Sequence, residues 1–427
     1  MRRVTVMSRR LAPGGRLVMG VLWPAIVLQA AAVARGGDWP QILGPSRNGI
    51  AAADEKLADR WPEGGPRAVW NRPVGSGYAG VAVAGERVIL FHRVDGNETV
   101  EAIDAATGRT LWSDGQRTTF QPQVGGGDGP LCVPVIHDDK VITFGAQGRL
   151  ACHDLATGRR LWSRETHRDF DASEGYFGAG STPVVVGGRV VVNVGGGKRE
   201  AGIVGFVLAT GETAWTRTTE LPGYAAAVPA RVAGEPHVLM VTRLACLLLE
   251  PRAGTVRWQF PFGQRGPTVN AATPLVLGGD HLLITASYGI GSVYAAFDAA
   301  TVKPVWEGEQ SLATQYCTPI VLDGKIYAID GRDDVPPADF KCLDEKTGRV
   351  LWSDRGFGYG TLLAADGKLV IAKTDGDLLL AKPGDTGLEV LARTRPLPGT
   401  LRPLPALAAG RLYLRDESTL TCLDLGP

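Results

Sequence analysis

The sequence predicts an all-β protein, an eight-bladed β-propeller of four-stranded antiparallel blades, closed by strands from the two ends of the chain. Three observations carry this expectation. The stretch Ala102-Ile-Asp104-Ala-Ala-Thr107-Gly108-Arg-Thr-Leu-Trp112 returns as Cys152–Trp162 and Cys342–Trp352, with weaker copies ending at Trp215, Trp258 and Trp306. Those tryptophans are spaced by 50, 53, 43, 48 and 46 residues. A second unit precedes each copy: an apolar run, a Gly-rich turn and another apolar run, as in Thr182-Pro-Val-Val-Val-Gly187-Gly188-Arg-Val-Val-Val. A period of about 40–50 residues filled with strand-like runs belongs to propellers; helical arrays of similar period need amphipathic helices, which this sequence lacks.

Each copy reads as a hairpin. An apolar run ends at Asp104, Asp154 or Asp344, a tight turn follows through Gly108, Gly158 or Gly348, and a second run ends at Trp112, Trp162 or Trp352. Glycine adopts positive φ without steric cost, and Asp and Thr side chains bond the turn backbone. Lead-in units begin near Ala79, Val133, Thr182, Val228, Thr273, Thr318, Leu362 and Leu404, which is eight. Outer strand ends fall at Trp70, Trp112, Trp162, Trp215, Trp258, Trp306, Trp352 and, in a decayed copy, Leu391, again eight. Trp70 has no hairpin before it, and the final half copy at Cys422 has no outer strand after it. The strand near Arg67–Arg72 is therefore expected to complete the last blade and remove an open edge. Seven blades would follow if the decayed copy near Gly387 were not a blade of its own.

In chain order, residues 1–34 read as a signal peptide. Arg2, Arg3, Arg9, Arg10 and Arg16 precede an apolar run from Leu17 to Ala34 that ends in Ala32-Val33-Ala34, a small-residue cleavage pattern. The expected product is exported to the periplasm or cell envelope, without a transmembrane anchor after cleavage. No cysteine precedes Cys132, so no lipid attachment is expected. Residues 35–66 form an irregular lead-in rich in Pro, Gly and Trp, whose tryptophans are expected to pack on the side of the propeller. Residues 67–427 are the propeller. With 45 basic and 44 acidic residues and no polybasic run after the leader, nucleic-acid binding has no electrostatic footprint. The six cysteines read as small buried strand residues, with a Cys132–Cys152 bond as the alternative.

No zinc spacing, serine elbow or phosphate loop is present; Gly195-Gly196-Gly197-Lys198 reads as a strand-to-strand turn. Asp333-Asp334 reads as part of a solvated loop, in the insertion 331–339. No catalytic residue and no metal ligand is assigned. The candidate ligand or partner residues come from architecture. Residues just before each first strand converge on one mouth of a propeller's channel, and they include Tyr78, Ser181, Thr182, Tyr224, Asn270, Tyr316, Tyr359 and Arg402.

The hairpins resemble the A-x-D-x-x-T-G-x-x-x-W repeat of the pyrroloquinoline-quinone (PQQ) propeller family. Ala102–Trp112 matches every fixed position, and Cys152–Trp162 and Cys342–Trp352 match all but the first. Trp39-Pro-Gln-Ile-Leu-Gly-Pro-Ser-Arg-Asn-Gly49 is similar to the start of many exported bacterial proteins of this class. The resemblance implies an eight-bladed propeller whose tryptophans dock blade to blade. It also implies one of two functions: PQQ- and calcium-dependent oxidation of an alcohol or sugar, or the non-enzymatic role of the propeller subunit of the outer-membrane β-barrel assembly machinery. The adjacent Cys-Cys pair of the dehydrogenases is missing from this sequence. The lead-ins offer Asn270 but no matching acids for calcium. The reading is thus an exported, non-catalytic propeller that binds a protein or peptide partner. The quinone dehydrogenase is the alternative, and a sugar- or polymer-binding module is a third reading.

Overall fold

The structure, a computed structural model, describes residues 37–266 and 268–427. The leader expected at 1–34 lies outside the described residues. The strands form eight four-stranded antiparallel sheets. Blade 1 spans 81–117, blade 2 135–165, blade 3 184–217, blade 4 228–261, blade 5 275–308, blade 6 320–354 and blade 7 360–394. Blade 8 takes three strands from 406–424 and its outer strand, Ala68–Pro73, from the other end of the chain. Trp70 pairs with Cys422 and Arg72 with Leu420, the expected closure. The decayed copy is a full blade, so the count is eight and not seven.

The middle strands are buried nearly throughout, as in Ala245–Leu249 and Lys140–Phe144, because each sheet is covered on both faces by its neighbours. Outer strands alternate toward solvent, as in Thr110–Arg117. The cysteines are all free and buried, which excludes the Cys132–Cys152 bond.

The repeated turn is held as its residue types require. The amide and hydroxyl of Thr107 donate to Asp104 Oδ1 at 2.8 and 2.7 Å, and Thr157 and Thr347 do the same to Asp154 and Asp344. These donors hold the three exposed carboxyls below the usual carboxylate range, through the hydroxyl first. The indole Nε1 of each blade's tryptophan then donates to a turn carbonyl of the next blade. Trp70 reaches Ala105 at 3.0 Å, Trp112 Leu155 at 3.0 Å, Trp162 Leu208 at 2.9 Å and Trp215 Pro251 at 2.9 Å. Trp258, Trp306 and Trp352 reach Asp298, Glu345 and Gly384. The ring lies on the turn glycine: a Cβ on Gly158, at φ +72°, would sit 2.5 Å from Trp112 Cδ2.

A bulge aims each indole. The register of every outer strand shifts by one residue just before the tryptophan position: Ala102 pairs with Trp112 but Ile103 with Thr110, leaving Leu111 unpaired. A bulge adds twist and redirects the side chain that follows it. In blade 7 the shift leaves Leu391 unpaired and puts Ala392 opposite Leu380. The residue in the tryptophan position is therefore Ala392, not Leu391 as the spacing implied, because the step from the turn glycine is one residue longer, Gly387 to Ala392 against Gly108 to Trp112.

The first half of the lead-in does not pack on the propeller's side, as the sequence reading had it; it crosses the inner strands, whereas Trp61 packs half-buried against blades 7, 8 and 1. Trp39, 1% exposed, forms a bridge with Val83 of blade 1 and belongs to the core cluster shared by blades 7, 8 and 1. Proline and glycine break periodicity in this segment, and its contacts are made with strands far along the chain.

Two predictions follow from this packing. Deleting residues before 75 removes the strand paired with Thr419–Leu423 and exposes the last blade's edge. Cooperative unfolding is expected to be lost, or aggregation to appear; a melt like that of the full chain would refute the closure. The second compares two glycines at φ +72°. Gly188→Ala meets nothing within 4 Å and loses only backbone preference, about 1–2 kcal/mol. Gly158→Ala adds a collision with Trp112, about 1–3 kcal/mol more, so urea denaturation should separate the two variants.

Candidate functional site

One end of the channel is closed by the lead-in. Ile136 N donates to Pro40 O at 2.7 Å in blade 2, and Ala51 N to Ala364 O at 2.9 Å in blade 7. Glu55 accepts from the amides of Ala409 and Gly410 in blade 8. Between these anchors the fully buried Arg47 donates to Pro183 O, Ala227 O and, at 2.7 Å, Gln41 Oε1. Its partners are neutral, and burial pulls its guanidinium down to about 9. Ile42 and Leu43 pack among Val133 and Ala226, with Leu404 beside them.

Above this floor opens a funnel of about 470 Å³. Its floor is Ile42 and Leu404, and its walls are the residues before the inner strands together with two inter-blade loops and two hairpin tips, in blades 5 and 6. Of the residues singled out in the sequence, Tyr78, Thr182, Tyr224, Tyr316 and Arg402 line it. Ser181, Asn270 and Tyr359 stand behind the wall. Ser181 Oγ donates to Ala225 O at 2.8 Å. Asn270 Nδ2 donates to three carbonyls, those of Thr242, Arg243 and Phe262, and the residue borders a side pocket of about 110 Å³. The Tyr359 hydroxyl accepts from the amides of Tyr316 at 2.7 Å and Cys317 at 2.9 Å, fixing the backbone on which Tyr316 stands. Burial pushes the hydroxyls of Tyr224, Tyr316 and Tyr359 well into the neutral form, so none supplies a phenolate.

The remaining walls were not singled out in the sequence. Tyr176 and Phe177 come from the loop after blade 2, and Tyr288 from a hairpin tip in blade 5, with φ +67°. A side chain held in the left-handed region marks a constrained position. The Arg332 guanidinium lies 4.4 Å from the Tyr288 ring centre and pairs with Asp334. Asp333, read above as part of a solvated loop, is half-buried in the wall. Its oxygens accept from Tyr316 Oη at 2.9 Å and Thr374 Oγ1 at 2.8 Å. Asp334 is exposed at the rim, as the loop reading expected, and accepts from Gln315 and Arg332. The signal that could have found these residues is aromatic side chains in Gly-bounded loops that all open on one face.

Ring and funnel define the class: an eight-bladed propeller of PQQ-like repeats. The chain belongs to the family described as outer membrane protein assembly factor BamB, whose profile matches residues 62–221 and 96–354. It is 26% identical over 374 residues to an outer membrane protein assembly factor BamB of Burkholderia pseudomallei, covering 77% of this chain and 85% of that protein. It is also 34% identical over 131 residues to a 1-butanol dehydrogenase (cytochrome c) of Thauera butanivorans; that match covers 29% of this chain and 17% of the dehydrogenase's length. Among solved structures, BamB from Moraxella catarrhalis superposes with a TM-score of 0.60 at 17% identity, over 83% of this chain and 96% of that one. The quinohemoprotein alcohol dehydrogenase from Comamonas testosteroni superposes at 0.67 and 16% identity, over 93% and 82%. At these identities the structures show the shared fold.

Tyr359→Phe should orphan two amides at the wall. The expected loss is about 1–3 kcal/mol per unpaired group, read by urea denaturation. A variant as stable as the parent would show that the hydroxyl does not hold Tyr316 in place.

Proposed function

We propose that the chain is an exported, non-catalytic propeller of the cell envelope that holds a protein or peptide partner at the mouth of its funnel. The observation that carries this reading is the make-up of that mouth. Val124 and Val335 stand 58% and 55% exposed on the loops that form it, above walls of Tyr176, Phe177, Tyr224 and Tyr288. Exposed apolar tips beside an aromatic cleft are features of a docking surface. The likeness to an assembly factor over 77% of the chain supports the same reading.

The alternative, a calcium–quinone centre, finds little to rest on in the donor set. Calcium takes about 6–8 oxygen ligands. The funnel's carboxylates, Asp333 and Asp334, already accept from neighbouring hydroxyl, amide and guanidinium donors. Among the described residues no group of three or more His, Cys, Asp or Glu is placed to hold a metal ion. Asn270 Oδ1 is buried without a donor, a single acceptor where a shell is needed. The residues therefore do not fit that centre.

Affinity capture from an envelope fraction tests the reading. The wild-type chain should retain a partner, and the Val124→Asp/Val335→Asp variant should lose at least about tenfold of it while melting normally. Failure to capture any partner, together with turnover of alcohols or sugars after adding the quinone and Ca²⁺, would overturn the proposal.

A further inference from the structure

We infer that Arg402 is the anion-recognition point of the funnel, and that it takes the C-terminal carboxylate of an extended partner chain whose end is inserted there. This rests on the peptide-binding reading above and names the chemistry it would use.

The first ground is charge. The Arg402 guanidinium carbon lies 4.9 Å from the ring centre of Tyr78 and 5.4 Å from that of Tyr316. Stacking engages the faces of a guanidinium and leaves its in-plane N–H donors, a planar fork that matches a carboxylate bidentately. Among the described residues, no carboxylate pairs with Arg402 and no acceptor bonds it, although it is half-buried in the wall. The other lining cation, Arg332, is matched by Asp334, and Asp333 is held by Tyr316 and Thr374. The four charged side chains of the lining, Arg332, Arg402, Asp333 and Asp334, cancel in sum, and Arg402 is the one whose hydrogen-bonding groups are left without a partner.

The second ground is topology. The lead-in closes the floor with Ile42, latched by Arg47, so a chain cannot thread through. An internal Asp or Glu could reach Arg402 only if the chain doubled back within about 470 Å³. A chain terminus needs no return path. Its carboxylate sits one residue from its last side chain, for which Phe177, Leu131 and Val269 provide an apolar wall.

The test uses the immobilised full chain and a pool of random hexapeptides in two forms, with free C-terminal carboxylates or amidated. Retained peptides are quantified by mass spectrometry. The free acids should be retained about tenfold over the amides, with an apolar last residue favoured, and millimolar benzoate should compete. Arg402→Gln should abolish the acid preference while amide retention stays constant. Arg402→Lys, which keeps the charge and loses the fork, should fall between. A melt matching the parent establishes that each variant is folded, and Arg109→Gln on an outer turn should leave the preference intact. Equal retention of acids and amides, or a preference that survives Arg402→Gln, would overturn the inference and leave the peptide reading standing. Retention of neither form would overturn both.

Discussion

The ring depends on one repeated interaction, a tryptophan laid on the turn of the next blade. Three features of each copy make it possible. The bulge turns the indole outward from its own sheet, as the unpaired Leu111 does for Trp112. The glycine at the turn leaves room for the ring, since any Cβ on Gly158 would meet it. The turn carbonyl accepts the indole N–H, at 3.0 Å for Trp112 and Leu155. A net hydrogen bond contributes about 1 kcal/mol, and burying the ring contributes more. Seven interfaces carry the contact. The eighth, from blade 7 to blade 8, lacks it for a reason: blade 8 has no turn at that place, because its outer strand comes from the other end of the chain. With no turn to receive an indole, Ala392 suffices. The cluster uniting blades 7, 8 and 1 with Trp39 and Leu57 of the lead-in takes over the task.

What could be read from sequence divides along the range of the interactions. The hairpins were legible because Asp104, Thr107 and Gly108 act within five positions, and their spacing is the turn. Closure was legible because unmatched halves at two ends can be counted. The misplacement of Leu391 shows where counting stops: one more residue between the turn glycine and the bulge shifts the register, and spacing from the turn then points to the wrong side chain. The lead-in was opaque. Arg47 finds its acceptors 136 and 180 residues away, and nothing near it in sequence announces them. The funnel stood between these cases. Equivalence of lead-ins brought Tyr78, Tyr224, Tyr316 and Arg402 together, but could not tell a lining residue from one that braces it, as Tyr359 does. Tyr288 and Arg332 sit on loops without repeat equivalents.

A fully buried guanidinium with only neutral partners is an unusual way to anchor a segment. Arg47 loses its hydration, and burial alone accounts for the downward pull on its ionisation. Carbonyl oxygens at the convergent ends of blades 3 and 4 offset that loss, since a propeller's inner edge gathers acceptors that no single blade can satisfy. The arginine therefore serves the ring as much as the lead-in: it occupies carbonyls that would otherwise face an apolar channel.

This plug also decides what kind of site the fold can offer. An open propeller channel has two mouths and no bottom, and a ligand is held only by its walls. Here Ile42 supplies a bottom, and inter-blade loops and hairpin tips build walls on the opposite side. The recurring strands and Asp-x-x-Thr-Gly turns that relate the chain to alcohol dehydrogenases and to an assembly factor contribute no lining side chain beyond their lead-ins. Site chemistry is set instead by segments that do not recur: the lead-in, the inter-blade loop that carries Phe177 and the insertion in blade 6 that carries Asp333. A shared propeller architecture therefore does not by itself fix what a chain does. In this chain those segments hold the funnel's carboxylates, which accept from hydroxyl, amide and guanidinium donors, while Arg402 stands with its donors free.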